Sequence, residues 1–141
     1  MKKKFLLVTI FLCGAFLFAC DGTTLQTTDT TTDLAAYDYS DFSDFFITDV
    51  EQQLQMSQTE YYIYFFNYTC LRCGEIKTEI LTKVAGLEID TFYFVVATSL
   101  SDINSGINVT KTPSLVYISN GAFVAAYVGV TDIRNVLDDL S

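Results

Sequence analysis

Two cysteines three residues apart, Cys70 and Cys73, follow directly on the strand-like run Tyr61–Asn67 and open a stretch with helical spacing. No other feature restricts so strongly what this chain can fold into. A thiol at a helix start sees unpaired amide groups and the positive end of the helix dipole, and both favour the thiolate that attacks disulfides. A second cysteine one turn on reaches the first without unfolding the helix. Strand, Cys-Leu-Arg-Cys, helix therefore reads as a redox dithiol. A bridge across so small a loop constrains the unfolded chain little, which argues against a purely stabilising purpose.

Thr112-Pro113 is the second landmark. It holds the only proline of the chain and precedes the apolar run Ser114–Ser119. A proline at the start of a strand marks a chain reversal, an edge or a cis bond. Beyond it come Asn120-Gly121 between two apolar runs, Gly129, and a closing helical pattern. Over Tyr61–Ser141 this order resembles the thioredoxin family. The resemblance implies an α/β fold with a central mixed β-sheet flanked by helices and a cis-proline loop beside the dithiol. It implies a thiol–disulfide oxidoreductase whose catalytic pair is Cys70 and Cys73, and in which Thr112 offers its backbone to the substrate beside Pro113. Cys70, at the helix start, is then the nucleophile, and Cys73, one turn inside, the resolving thiol. Tyr68 and Thr69 abut the nucleophile and are further candidate substrate contacts.

This chain departs from the family's pattern in ways that bear on chemistry. Tyr68-Thr69 stands where a tryptophan commonly precedes the dithiol. Tyr64 occupies the position, six residues before Cys70, where many thioredoxins bury a proton-accepting aspartate. Phe92–Ala97 has no counterpart of their buried lysine. Arg72 places a permanent cation beside the thiolate, an effect that lowers a thiol pKa and makes the disulfide more oxidising. Glu75 opposes it and is expected to be solvated. The plainer reading of Arg72 is an exposed helix-start residue. Lys111 reads as a solvated loop charge, and the tyrosines at 61, 62, 64, 93, 117 and 127 as core and sheet residues.

The N-terminus sets an expectation for location. Lys2, Lys3 and Lys4 precede the apolar segment Phe5–Phe18, and Leu17-Phe18-Ala19-Cys20 resembles a bacterial lipobox. Phe5–Ala19, fifteen residues, falls short of the ~20 that span a bilayer. Residues 1–19 are therefore read as a lipoprotein signal peptide. Cys20 is read as the lipidated residue, anchored to the cell membrane on its extracytoplasmic face, where two acyl chains hold firmly. Residues 20–34 form the lipidated cysteine and a threonine-rich tether. The thirteen residues Asp21–Asp33 are too polar to bury themselves and span at most ~45 Å. Residues 35–141 form the folded domain. On this reading Cys13 leaves with the signal peptide, and the mature domain keeps two thiols. Asn67-Tyr68-Thr69 and Asn108-Val109-Thr110 match the glycosylation sequon, which matters only in a eukaryotic secretory pathway.

Charge and composition exclude other classes. The 141-residue chain carries a formal net charge of −9. Without the three N-terminal lysines, five basic residues face seventeen acidic ones, a net −12. Such a surface repels nucleic acid and anionic headgroups. With no histidine there is no His-dependent triad and no imidazole metal site. The expected partners are client proteins or peptides with thiols or disulfides, a redox partner of unknown identity and the membrane. No cofactor is expected. Two alternatives stand beside the oxidoreductase: an accessory lipoprotein assisting secreted-peptide export or maturation, and a Zn2+ or copper half-site needing ligands from a second chain.

Periodicity supplies the remaining elements. Phe42, Phe45, Phe46, Val50 and Leu54 lie on roughly one face of a helix capped by Ser40 or Ser43. Tyr61–Phe66 and Thr91–Ala97 read as strands covered on both faces. Ile76, Ile80, Val84 and Leu87 share a helix face, with Glu79 and Lys83 as an i,i+4 pair and Gly86 as the stop. Ser99–Gly106 reads either as a short helix or as an irregular crossover. Leu115–Ile118 and Phe123–Val128 flank a hairpin turn at Asn120-Gly121. Thr131 is expected to cap a last helix carrying Ile133, Val136, Leu137 and Leu140.

Overall fold

The computed structural model describes residues 37–87 and 91–140. The expected signal peptide and tether, with Cys13 and Cys20, lie outside the described residues. Six regular elements carry the architecture: β1 (Glu60–Phe66), α1 (Leu71–Gly86), β2 (Phe92–Val96), β3 (Ser114–Ser119), β4 (Ala122–Val128) and α2 (Val130–Asp139). The sheet order is β2-β1-β3-β4. β1 and β2 run parallel, with Tyr64 opposite Phe94, whereas β1–β3 and β3–β4 are antiparallel. The sheet is thus mixed, as expected.

β1 is apolar throughout because both faces of the central strand are covered. Tyr64 and Phe66 project into a core shared with Cys73, Ile76, Ile80 and Val84 of α1 and Ile133 and Leu137 of α2. Tyr61, Ile63 and Phe65 project into a second core with Ile47, Ile103, Ile107 and Val109. Both α-helices therefore lie over one face, and 3-10 and loop segments cover the other. The alternation of β1 between two cores fixes its register, since a one-residue slip would exchange every side chain between faces.

The expected helix through Phe42–Leu54 is not continuous. Asp38, rather than Ser40 or Ser43, caps a 3-10 segment over Tyr39–Phe45, in a reciprocal capping box with Asp41. A separate 3-10 turn follows at Glu51–Leu54. Between them Phe46 bridges to Phe94 beside β2, and the Ile47 amide donates to the Phe94 carbonyl at 2.9 Å. The reason is packing: Tyr39 and Phe42 fill the α-helical core while Ile47 fills the opposite one. The segment must cross the sheet margin, which one straight helix cannot do. Ser99–Gly106 combines both expectations, a 3-10 turn at Leu100–Asp102 within an irregular crossover.

Two local expectations are corrected. Glu79 does not pair with Lys83; both of its carboxylate oxygens accept hydrogen bonds from Arg134 of α2, each at 2.6 Å. A planar guanidinium matches the carboxylate fork in a way an ammonium does not. Thr131 does not cap α2. Gly129 does, at φ +91° and without a side-chain cap, its carbonyl accepting the Ile133 amide and its amide donating to Pro113. Only glycine takes that φ without strain. The start of the last helix is thereby tied to the proline loop.

The hairpin behaves as its Asn-Gly sequence predicts, with φ +51° at Asn120 and +70° at Gly121. Past the turn the ladder is irregular: Ile118 pairs with Phe123 but Tyr117 with Ala125, leaving Val124 as an extra residue in β4.

Candidate dithiol site

Asn67, the first residue after β1, organises the approach to the dithiol. Its Oδ1 accepts the amide and the hydroxyl of Thr69, at 2.9 and 2.8 Å, and its own carbonyl accepts the Cys70 amide at 3.1 Å. Such Asx turns commonly launch a helix. In the sequence Asn67 ends the strand-like run and opens a sequon; the signal for its structural role is an Asn two residues before a threonine at a helix start. Thr69, expected to contact substrate, already has its hydroxyl committed to Asn67.

Cys70 is the N-cap of α1. The Cys73 amide donates to Cys70 Sγ at 3.2 Å, so the sulfur takes the place that a serine or aspartate oxygen takes at other helix starts. That amide, with the helix dipole behind it, is the stabilisation a thiolate needs. Cys70 and Cys73 form a disulfide across a Cα separation of 5.2 Å. Cys70 is half-buried, whereas Cys73 is only 2% exposed, among Tyr64, Phe66, Ile76 and Ile80.

The proline loop meets this sulfur from across the fold. The Thr112–Pro113 peptide bond is cis, Pro113 is buried, and the Thr112 carbonyl oxygen lies 3.8 Å from Cys70 Sγ. The Ser114 hydroxyl, donating to the Lys111 carbonyl at 2.7 Å, braces the loop from the strand side. Cys70, Cys73, Thr112 and Pro113 are thus gathered at one place, with Tyr68 exposed beside them and edge-on to Phe66 and Tyr39.

Arg72 is exposed at the helix start, as its plainer reading has it. Its guanidinium turns along the helix and donates to Glu75 at 2.9 Å, with Arg72 72% exposed and Glu75 47%. Glu75 is solvated, as expected, and the pair is an exposed one on the helix surface. Tyr64, at the position of the family's acid, is fully buried, and burial pushes its phenol far above the usual range. Burial likewise raises Tyr39 to about 12. The two hydroxyls neighbour each other, and no other group hydrogen-bonds them. Among the described residues no three histidine, cysteine or acidic side chains gather as a metal site.

Similarity to solved structures agrees with this arrangement. The chain is similar to the thioredoxin of Malassezia sympodialis (17% identity, covering 67% of this chain and 88% of that one, TM-score 0.50). It is similar also to mitochondrial thioredoxin 3 of Saccharomyces cerevisiae in its oxidised form (18%, 67% and 93%, 0.50) and to a thioredoxin of Plasmodium falciparum (14%, 68% and 98%, 0.50). No protein-family model and no curated protein matches the sequence. The fold is thioredoxin-like, and it carries a Cys-x-x-Cys disulfide.

Proposed function

We propose that this chain is a thiol–disulfide oxidoreductase that exchanges disulfides with client proteins or peptides, held by lipid at Cys20 on the extracytoplasmic face of the cell membrane. The observation that carries the exchange chemistry is the asymmetry of the pair: Cys70 half-exposed at a helix N-cap with an amide on its sulfur, Cys73 buried one turn inside. In the reducing direction the Cys70 thiolate attacks a client disulfide. A Cys70–client S–S bond forms and the client's second sulfur leaves with the electron pair. Cys73 then attacks Cys70, the intramolecular disulfide closes, and the client's first sulfur leaves as thiolate and takes a proton from solvent. The oxidising direction is the reverse.

Thr112 and Pro113 are the proposed client contacts, with the free Thr112 N–H and C=O flanking the mixed disulfide, and Tyr68 packs beside the client cysteine. Thr69 contributes through the loop shape set by Asn67. Arg72 is proposed as a minor tuner of Cys70, weakened by Glu75.

Trapping tests the reading. Cys73→Ser should accumulate reducible covalent complexes with clients in the membrane fraction, while Cys70→Ser should form none and lose exchange. In a Cys20→Ser background the same complexes should move to the soluble fraction or the chain should remain unprocessed. No trapped complex, together with a Cys70 that titrates like a free thiol near ~8.5, would leave the accessory-lipoprotein reading instead.

A further inference from the structure

The buried thiol has a charge problem that Cys70 does not share. To attack the mixed disulfide, Cys73 must ionise inside an apolar core, and burial opposes the charged form of a thiol. Tyr39 and Tyr64, the two buried titratable groups in that core, cannot take the proton, because burial holds both phenols protonated. The rest of that core, Phe66, Phe94 and Leu115 from the sheet and Val130 and Ile133 from α2 among it, carries no charge.

One route leads out. A cleft of about 350 Å3 is lined by Cys73 and Gly74 together with Tyr39, Tyr68, Asp38 and Lys77. Gly74 lines it at the exposed helix surface, where a Cβ would stand in open space. Lys77 lies four residues after Cys73 on α1. Helical side chains lean back toward the N-terminus, which points that of Lys77 toward the Cys73 turn. Its ammonium is held on two sides: it donates to Asp38 Oδ1 at 3.0 Å and sits 5.1 Å from the centre of the Tyr39 ring. It is 32% exposed, against 65% for Asp38. Asp38 itself is held below the usual carboxylate range, first by the Lys77 hydrogen bond and then by the Tyr39 amide, so it stays ionised and is a poor base.

We propose that Lys77, fixed over this cleft by Asp38 and Tyr39, is the cation that supports ionisation of Cys73 and so sets the rate at which the mixed disulfide is resolved. The inference rests on Cys70 and Cys73 being an exchanging pair. The Cys73 thiol releases its proton to solvent in the cleft, its sulfur bonds Cys70 Sγ with its electron pair, the Cys70–client S–S bond breaks, and the client sulfur leaves as thiolate; Lys77 offsets the Cys73 charge while it exists. The Tyr39 and Tyr64 hydroxyls, which interact with each other, lie in the same core as the sulfur that becomes negative. Asp38 is a positioning residue, because it acts through Lys77.

The test uses the full chain with Cys70→Ser, so that Cys73 is the only thiol of the dithiol left to titrate, and follows alkylation against pH. Lys77→Met should raise the midpoint for Cys73 by about one unit, a tenfold slower alkylation near neutral pH. Lys77→Arg should restore most of it. In the intact dithiol, Lys77→Met should let mixed disulfides accumulate although Cys70 still reacts. An unchanged midpoint in Lys77→Met, or an arginine variant as impaired as the methionine one, overturns the inference. A wild-type chain that exchanges with no client overturns the functional reading instead, whatever the midpoint does.

Discussion

Gln53 is almost completely buried, an unusual place for a glutamine. Its side chain explains the placement. Nε2 donates to the Asp102 carbonyl at 2.7 Å, Oε1 accepts the Asn104 amide at 2.8 Å, and the Gln53 carbonyl accepts the Tyr61 hydroxyl at 3.0 Å. One residue thus satisfies the backbone of a crossover about fifty positions away and ties it to β1. Gln53→Leu keeps much of the volume and strands two buried backbone groups. The expected loss is roughly 2 kcal/mol or more, read as a lower urea midpoint with an unchanged slope. No periodicity marks such a residue, because its partners are distant in sequence. The same holds for Lys77, whose role depends on Asp38, and for Glu79, whose partner is Arg134 rather than the nearby Lys83. The dithiol was legible because its chemistry is local: two thiols, one helix start, one spacing.

Among elements, those read correctly are the ones whose cause lies within a few residues. β1 and β2 are continuous apolar runs, α1 has its buried stripe at Cys73, Ile76, Ile80 and Val84, and the Asn-Gly turn has one favoured geometry. The N-terminal segment is not one helix because Tyr39 and Phe42 fill one core and Ile47 the other, with Phe45 packed against both. The Thr131 cap failed because the proline loop supplies the anchor for Gly129. The hairpin turn also has a long-range constraint that its sequence hides. A Cβ on Gly121 would stand 2.9 Å from the Leu54 carbonyl oxygen, on top of a φ of +70°. Gly121→Ala should therefore destabilise the protein by roughly 1–2 kcal/mol, beyond the backbone cost alone, and thermal unfolding measures it. An Asn120→Gly change at the neighbouring position should be nearly silent.

For the whole molecule, the absence of histidine and the buried tyrosines together shape the response to pH. Asp38, Glu79 and Asp102 are each held below the ordinary carboxylate range, chiefly by Lys77, Arg134 and the Thr98 hydroxyl respectively. A lowered folded value adds stability above the unfolded pKa and loses it as pH falls, so stability should decline below about pH 4. Tyr39 and Tyr64 are raised, which favours the fold below the phenol's unfolded pKa and is lost as pH rises. Stability should therefore fall above about pH 10, leaving a plateau between roughly pH 5 and 9 for the disulfide form. Urea midpoints across that range check it; a step near pH 6.5 would contradict it.

The bulge at Val124 has a consequence for life at high local concentration, such as crowding on a membrane would create. At one margin of the sheet the backbone of β2 is partly occupied by Phe46 and Ile47. At the other, β4 presents Ala-Phe-Val-Ala-Ala-Tyr-Val, with neither a charge nor a proline to discourage another chain from adding a strand. The extra residue does that work by geometry. It bends the strand and breaks the regular spacing of donors and acceptors, so a neighbouring copy approaching this margin finds a ladder it cannot continue.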